Sequence, residues 1–402
     1  MGRTTKDGNV DYDTARQRAG FSWSVGGSQD ALRRLAGIPI REFNLEPAAC
    51  IEAYRRGRPL LREMFGDEVG PPGLSTPAVS YGHVNCLGSE LLFPEGGEVA
   101  HTHVYDSLEE GILQLAEPVD WATAGMAPFF LEFRGKLREA FPDERVGFAF
   151  GGEGPITTAY ELRGEGFFTD IYDDPPRAKE LLRAQTESVL DFDRFHADVN
   201  ETPMPNPSAG GLCDDLASLI PARLMPEFVL PYWEQHFRGV TTGARYAHVE
   251  DLRAEQLFCL EAIGLTQFDP SISPKLTPRI LTQHTRVPFT WRLGSFHYRE
   301  MSVQEVEDFV FQSAVDGANG VITYIEAVMC EPETVPKVHA FIGAAKEAKR
   351  LLDEGCTREE LAQRVSPEGR ARLWDAWCGY LGPRSSRGGA RVRCDEVDVP
   401  ST

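Results

Sequence analysis

The sequence predicts an α/β protein built as a (β/α)8 TIM-type barrel. Short β-rich runs alternate with helical segments through most of the chain, which is typical of parallel strands joined by helical crossovers. No domain break interrupts this alternation, and 402 residues with 42% hydrophobic side chains suffice for one large core. The G-x-G-x-x-G dinucleotide fingerprint and the Walker A motif are both absent, so no nucleotide cofactor is expected.

Three segments differ in composition. Residues 1–34 are largely polar and glycine-rich near their start, which predicts an N-terminal arm. Residues 35–382 carry the alternating pattern and are predicted to form the barrel. Residues 383–402, "PRSSRGGARVRCDEVDVPST", have the composition of a disordered tail.

The first half of the barrel contains clear helix signals. Residues 47–65 have apolar side chains at helical spacing, and "SLEEGILQLAE" opens with a capping box, Ser107 and Glu110. "PAVSYGHV" and "ERVGFAFGG" are typical of extended segments. "DPPRAKELLRAQTESVLDFDRFH" predicts a long amphipathic helix that begins at its prolines.

In the second half, candidate strands alternate regularly with candidate helices. Candidate strands are "GGLCDD", "ARYAHVE", "LTQFD", "VPFTWRL" and "GVITYIEA". Each is followed by a helical segment, among them "SVQEVEDFVFQSAVDGA", with a second capping box, and "TVPKVHAFIGAAKEAKRLLDEG", which ends at Gly355.

Charge and cysteine content narrow the class of protein. With 41 basic and 61 acidic residues the net charge is −20, which disfavours nucleic acid and anionic membranes as partners. The eight cysteines show no C-x-x-C pairing. No signal peptide and no membrane-spanning run is visible, so a cytoplasmic location is expected.

Polar residues stand at the predicted carboxyl ends of many strands, where barrel enzymes place their chemistry. They are Glu153, Asp214, Asp215, His248, Glu250, Asp269, Arg292, His297, Glu326 and Cys330. His248 and Glu250 are two apart, so in an extended strand both side chains point to the same side.

Several segments resemble the uroporphyrinogen decarboxylase superfamily. They are "GPITTAYELRGEGFFTDIYDDPPRAKELL", "DDLASLIPARLMPEFVLPYWEQHF", "AHVEDL" and "MCEPETVPKVHAFI", and their order and separation extend the resemblance over roughly residues 35–352. The resemblance implies a (β/α)8 barrel, in agreement with the alternating pattern.

That superfamily includes two chemistries. One branch decarboxylates uroporphyrinogen without a cofactor. The segment "ARQRAGFSWS" resembles the N-terminal signature of that branch only partly. The other branch transfers methyl groups between corrinoid carriers and thiols with the help of zinc. Its His-x-Cys zinc motif falls at "AHVEDL", where this chain has His-x-Glu.

The resemblance to the second branch implies a metal site formed by His248, Glu250 and Cys330. Three ligands leave one position open, as catalytic zinc sites do. The expected ion is a divalent metal, with zinc first, although the harder glutamate also admits iron, manganese, cobalt or nickel. Alternatively, His248 and Glu250 only form hydrogen bonds, and Cys330 is a small buried apolar side chain.

The other strand-end residues are interpreted by type. Asp214 and Asp215 are candidate acid–base carboxylates, or else carboxylates that stabilise a helix N-terminus. His297 is a candidate acid–base or substrate-contacting group.

The substrate-binding candidates are Glu153, Arg292 and Glu326. Arg292 could clamp a substrate carboxylate or form an ion pair with Glu326 or Asp269. A rival pair of metal ligands, His101 and His103, has no support from the resemblance.

The sequence therefore predicts a metal-dependent methyl or alkyl transferase, or a dealkylase, that acts on a small molecule. The alternative is a cofactor-free decarboxylase of an anionic, uroporphyrinogen-like substrate. A third hypothesis is a non-catalytic barrel that binds a ligand or a corrinoid partner. Because the corrinoid-binding Asp-x-His-x-x-Gly signature is absent, any corrinoid is expected on a separate protein.

Overall fold

A computed structural model of the chain describes residues 10–374. Its β-strands are β1 (Ser22–Gly27), β2 (Leu91–Leu92), β3 (Ala100–His101), β4 (Ala209–Cys213), β5 (Ala244–His248), β6 (Gln267–Asp269), β7 (Thr290–Arg292) and β8 (Gly320–Ile325). The predicted tail, residues 383–402, lies outside the described residues.

Helices account for most of the remaining regular structure. The first ten are α1 (Tyr12–Ala19), α2 (Gln29–Ala36), α3 (Ile40–Leu45), α4 (Pro47–Phe65), α5 (Gly82–Cys86), α6 (Leu108–Leu115), α7 (Ala127–Ala140), α8 (Pro155–Arg163), α9 (Gly166–Asp173) and α10 (Pro175–Val199). The others are α11 (Met225–Phe228), α12 (Leu230–Val240), α13 (Phe258–Ala262), α14 (Pro278–His284), α15 (His297–Glu300), α16 (Val303–Val315), α17 (Val335–Asp353), α18 (Arg358–Leu361) and α19 (Pro367–Arg372).

The strands form two parallel sheets of three strands and one small antiparallel pair. One parallel sheet has the order β4-β5-β6, the other the order β1-β8-β7, and β2 pairs antiparallel with β3. Isolated parallel bridges add Gly26 to Gly70, Ser75 to Gly147, Val79 to Phe150 and Phe268 to Phe289. The protein is therefore an α/β structure with parallel strands and helical crossovers, and its ladders do not form one continuous eight-stranded sheet.

The N-terminal region departs from the expected arm. Residues 12–34 lie within the fold, because β1 pairs along its whole length with β8 and α2 follows it directly. Phe21, Val25 and Leu32 are buried in the main core. Composition did not reveal this strand because β1 places Trp23 and Val25 among serines and glycines, so its mean polarity resembles that of a loop.

Helix signals in the sequence agree with the observed boundaries. Ser302 and Glu305 form the predicted capping box of α16, and Gly355 follows α17 with a positive φ of 92°. Ser107 caps α6 by accepting a hydrogen bond from the Glu110 backbone N–H. Among the described residues, no helix is both long enough and apolar enough to cross a bilayer.

Candidate metal and substrate site

The carboxyl ends of β4, β5 and β6 place three polar residues in one row. In the parallel register, Cys213 lies opposite His248, and His248 lies opposite Asp269. Residues opposite one another in a sheet project to the same face, so these side chains are neighbours. The apolar residues that alternate with them, Leu212 and Ala247, are buried in the main core. The row therefore occupies the opposite, polar face of the sheet.

Asp269 fixes the orientation of the His248 ring. Its Oδ2 lies 3.0 Å from His248 Nδ1, while Arg292 Nη2 donates a hydrogen bond of 2.6 Å to the same oxygen. The Ser271 backbone N–H donates to Asp269 Oδ1 over 2.8 Å. Because Nδ1 is occupied by this carboxylate, Nε2 is the nitrogen that faces the open side of the cluster.

Two further carboxylates face His248 Nε2. The carboxylate oxygens of Asp215 and Glu250 each lie 3.7 Å from it. Asp215 also accepts a 3.0 Å hydrogen bond from the Glu250 backbone N–H, and Ser271 Oγ donates to Glu250 over 2.5 Å. These contacts connect the end of β4 to the turn that follows β5.

Cys213, Asp215 and His248 satisfy the simplest geometric test for a metal site. One ligand atom from each residue lies within 4.8 Å of the others, and within residues 10–374 this is the one such group found. Sulfur, nitrogen and carboxylate oxygen form a donor set suited to zinc. The Asp269 contact to the far ring nitrogen of His248 is the outer arrangement that zinc-binding histidines usually have. The residues present therefore fit a divalent metal.

Charge in the cluster is strongly perturbed. Burial opposes protonation of His248, yet its hydrogen bonds to Asp269 and Glu250 prevail and raise its pKa to about 10. Burial raises the pKa of Asp215 to about 6, with the Glu250 charge adding to this and the His248 charge opposing it. Burial and the nearby Glu153 and Asp215 charges raise the pKa of the Cys213 thiol. A metal ion would supply the positive charge that lets this thiol bind as thiolate.

Asp214 and Asp215 have opposite environments despite being adjacent. Asp214 is 0% exposed and accepts hydrogen bonds from the backbone N–H groups of Ile156 and Thr157, at the start of α8, and from Trp233 Nε1. Asp214 was predicted either to act as an acid–base group or to stabilise a helix N-terminus. In the structure it accepts hydrogen bonds at the N-terminus of α8, and not at the helix that follows β4. Asp215 faces His248 and remains a candidate for chemistry.

Gly154 allows α8 to begin so close to β4. A Cβ at this position would lie 2.6 Å from Asp214 Cβ and 2.7 Å from the Cys213 carbonyl oxygen, so a larger residue would force the two elements apart. The Gly154 N–H donates to that carbonyl over 2.5 Å. The glycine of the Gly154-Pro155 pair thus allows α8 to begin close to the row formed by Cys213, His248 and Asp269.

Glu153 joins this group from the segment before α8. Burial raises the pKa of its carboxyl to about 7, while the nearby side chains of Cys213 and Ser80 counteract that rise. Its Oε2 is buried without a hydrogen-bond partner among the described residues. Glu153 therefore lies near Cys213 of the metal-donor set.

The remaining predicted residues lie elsewhere or have other partners. Arg292 forms its ion pair with Asp269, one of the two alternatives considered, and its guanidinium lies 5.1 Å from the centre of the Tyr324 ring. Glu326 accepts a 2.6 Å hydrogen bond from Ser28 Oγ. His297 is buried, its Nδ1 accepts from the Gly294 N–H, and burial lowers its pKa to about 4.

Cys330 is not brought to His248 and Glu250. It follows β8, where its sulfur lies 3.6 Å from the Glu326 carbonyl oxygen and 3.9 Å from that of Ala31 in α2. Burial raises the pKa of its thiol to about 12. In this structure Cys330 is a buried side chain between β8 and α2. This agrees with the alternative interpretation of the sequence, in which Cys330 is a small buried apolar side chain.

His101 and His103 form an aromatic contact instead of part of the metal-donor group. Their ring centres are 5.6 Å apart, and His101 lies 4.4 Å from the Tyr81 ring centre. Each Nδ1 is within hydrogen-bond distance of a backbone carbonyl, that of Thr102 or that of Glu161.

Sequence reasoning missed Cys213 as a donor and Asp269 as the residue that orients His248. The signal was present, because Cys213 stands directly before the two aspartates at the end of the candidate strand "GGLCDD". Aligning the ends of consecutive predicted strands would have placed Cys213, His248 and Asp269 in one row.

Comparisons with known proteins bear on the fold. No protein-family model and no curated protein sequence matches the chain. Among solved structures, a methyltransferase from Methanosarcina mazei is similar, with 19% sequence identity and a TM-score of 0.59 over 80% of this chain and 91% of that chain. The carboxyl transferase domain of Rhizobium etli pyruvate carboxylase, with 3-bromopyruvate, gives 12% identity over 89% of this chain and 50% of that chain, and its TM-score of 0.23 carries no argument. The chain thus shares its overall fold with a methyltransferase.

Proposed function

We propose that this protein is a zinc-dependent methyl or alkyl transferase, or a dealkylase, that acts on a small molecule. The observation that carries the proposal is the convergence of Cys213, Asp215 and His248 within 4.8 Å at the ends of β4 and β5. The similarity in fold to a methyltransferase supports the same reaction class, as does the resemblance of the sequence to the uroporphyrinogen decarboxylase superfamily.

The proposed ligands differ from those that the superfamily resemblance implied. Cys213, Asp215 and His248 hold the ion, Glu250 stands beside them, and Cys330 is left out. Cys213 supplies the thiolate that the His-x-Glu motif lacks, so the exchange of cysteine for Glu250 does not remove soft ligation from the site. A site with this thiolate would be able to bind and activate a substrate thiol.

Each residue of the cluster has a defined task. A bound zinc ion would supply Lewis acidity and lower the pKa of a coordinated thiol or water. Asp269 holds the His248 ring so that Nε2 faces the site, and Arg292 balances the charge of Asp269. Asp215 accepts a hydrogen bond from the Glu250 backbone N–H and Glu250 accepts one from Ser271 Oγ, which holds both carboxylates beside His248 Nε2. Glu153 places a second acidic group against Cys213.

The acidity of the site argues against the decarboxylase alternative. Carboxyl groups from Glu153, Asp215, Glu250 and Asp269 surround His248 and Cys213, while Arg292 is already paired with Asp269. A substrate with several carboxylates would be repelled by this arrangement. A neutral or cationic substrate is compatible with it.

The domain organisation forms part of the proposal. We infer that the two parallel sheets and the isolated bridges are portions of one (β/α)8 barrel, predicted over residues 35–382, of which the structure describes residues 35–374. The pairing of β8 with β1 supports a closed ring, as does the bridge between Phe268 in β6 and Phe289 beside β7. β1 adds residues 22–27 to this unit. A separate corrinoid protein is the proposed methyl carrier.

The proposal is tested with methylcob(III)alamin as donor and 2-mercaptoethanol, a neutral thiol, as acceptor. Loss of the methyl group changes the visible spectrum of the cobalamin, and the methylated thiol is quantified by mass spectrometry. Zinc-loaded protein is expected to accelerate the transfer, while chelated protein and the His248→Ala variant are not. Equal rates for all three would contradict metal-dependent methyl transfer to a thiol.

A further inference from the structure

Glu161, in α8, is a buried carboxyl that the proposed metal site does not use. It is 2% exposed, and neither of its oxygens has a hydrogen-bond partner among the described residues. Leaving such a group buried and unpaired destabilises a fold, so its presence points to a complementary ligand.

The surroundings of Glu161 are acidic. Burial, followed by the charges of Glu153 and Asp214, holds the pKa of Glu161 well above its usual range. One buried oxygen of Glu153 also has no hydrogen-bond partner in the part of the chain that the structure describes, and its carboxyl lies near Cys213. The charged groups that act most strongly on these two carboxyls are all negative, so the missing complement is a cation.

An aromatic ring lies near the same two carboxyls, because Tyr81 packs against the buried cluster that includes Leu162, the residue after Glu161 in α8. Tyr81 is half-buried, and burial, together with the charges of Glu161 and Glu153, raises its pKa. Tyr81 and Ser80 also line a cavity of about 290 Å³. Ser80 also counteracts the rise in the pKa of Glu153, so the Glu153 carboxyl lies near this wall of the cavity.

The geometry favours an organic cation over a second metal ion. Three converging donors were found within residues 10–374 at Cys213, Asp215 and His248, and neither Glu153 nor Glu161 belongs to such a group. A ring face combined with carboxylates is the arrangement that binds methylated ammonium groups in proteins.

We infer that Glu161, Glu153 and Tyr81 form the subsite for a methylated ammonium group of the substrate. This inference rests on the proposed function and names its substrate class: a methylated amine bound as the cation. Because the Glu153 carboxyl lies near Cys213, the bound group would lie near the proposed metal ligands. The inference concerns binding and orientation only.

The first test is calorimetric titration of the full-length protein with tetramethylammonium chloride at mildly alkaline pH. Tert-butanol serves as the neutral probe of similar shape, and potassium chloride as the bare cation. We expect saturable binding of tetramethylammonium at least about tenfold tighter than either control. Equal affinity for tert-butanol or potassium, or no binding, would overturn the inference.

Variants then locate the binding site. Glu161→Gln keeps the shape of the side chain and should weaken tetramethylammonium binding by about tenfold or more, while raising the melting temperature. Glu165→Gln removes the same charge from an exposed position and should leave the affinity unchanged. Tyr81→Phe keeps the ring face and should bind like wild type, unlike Tyr81→Ala. Unchanged affinity in Glu161→Gln would refute the assignment.

Metal content, measured in the same samples, separates this inference from the proposed function. Protein that retains zinc but does not bind tetramethylammonium would overturn the substrate class alone. Protein that binds tetramethylammonium through Glu161 but takes up no zinc would overturn the proposed metal-dependent function and leave the ammonium subsite standing.

Discussion

The two parallel sheets end in different ways. At the carboxyl end of β4-β5-β6, the register itself aligns Cys213, His248 and Asp269, and the chain that follows adds Asp215. Beyond β8, in the other sheet, Glu326 bonds to Ser28 and Cys330 packs beside Ala31 of α2. The carboxyl end of β4-β5-β6 therefore places possible metal ligands side by side, whereas the residues after β8 contact α2 and the residue before it.

The difference lies in how each residue is positioned. Residues inside strands are placed by backbone ladders, so their neighbours follow from the register. Cys330 lies five residues beyond the end of β8, after a short 3-10 turn at Ala327–Met329, and the turn decides where it points. A candidate ligand in a strand is therefore more predictable than one in the loop behind it.

Replacing His248 should have the largest effect. His248→Ala removes a ligand at the centre of the row, so its zinc affinity should fall by more than the roughly 10–100-fold typical of outer partners. Glu326→Gln, at the corresponding end of β8, should bind zinc like wild type. Equilibrium dialysis followed by elemental analysis measures both. Equal losses in the two variants would remove the distinction between the sheets.

Asp269→Asn tests the orienting contact in the same sheet. The amide is a poorer partner for His248 Nδ1–H, so zinc affinity should fall by roughly 10–100-fold while the fold is retained. Asp251→Asn is the matched control, because Asp251 follows Glu250 directly but pairs with Lys275. If Asp269→Asn binds zinc as tightly as the control, Asp269 has no part in metal binding.

The adjacent aspartates separate stability from metal binding. Asp214→Asn should lower the free energy of unfolding by about 1–3 kcal/mol, because buried donors of α8 and Trp233 lose a charged acceptor. Asp215→Asn should change stability less and zinc affinity more. Chemical denaturation of the metal-free variants and zinc titration give the two values. The reverse ranking would show that Asp214 is the functional carboxylate.

The sequence predicted the helices and strand ends better than the assembly of the site. His248 and Asp215 were identified because polar residues stand at the predicted ends of strands, and the long helix α10 was predicted from the prolines at its start. The contact between Cys213 and His248 depends on the register of two strands 35 residues apart, which local patterns do not determine. The assignment of β1 to an arm failed because alternating small residues hid a paired strand.

The smallest predicted effect concerns pH in the metal-free protein. The pKa of His248 rises from an ordinary value of 6.5 to about 10, so protonated His248 stabilises the fold fully below pH 6.5. That stability is lost as the pH rises through about 10. In the presence of chelator, the wild-type melting temperature should therefore fall across this range relative to His248→Gln. If the melting temperatures of the two proteins change in parallel with pH, protonated His248 does not stabilise the fold through its carboxylate neighbours.

Substitution with cobalt(II) tests the central claim most directly. A thiolate bound to cobalt(II) gives an intense near-ultraviolet charge-transfer band, which reports the sulfur ligand without any knowledge of the substrate. The account predicts this band in wild type and in Cys330→Ser, and its loss in Cys213→Ser. A band that persists in Cys213→Ser and disappears in Cys330→Ser would contradict the assignment of the metal site to the β4-β5-β6 edge.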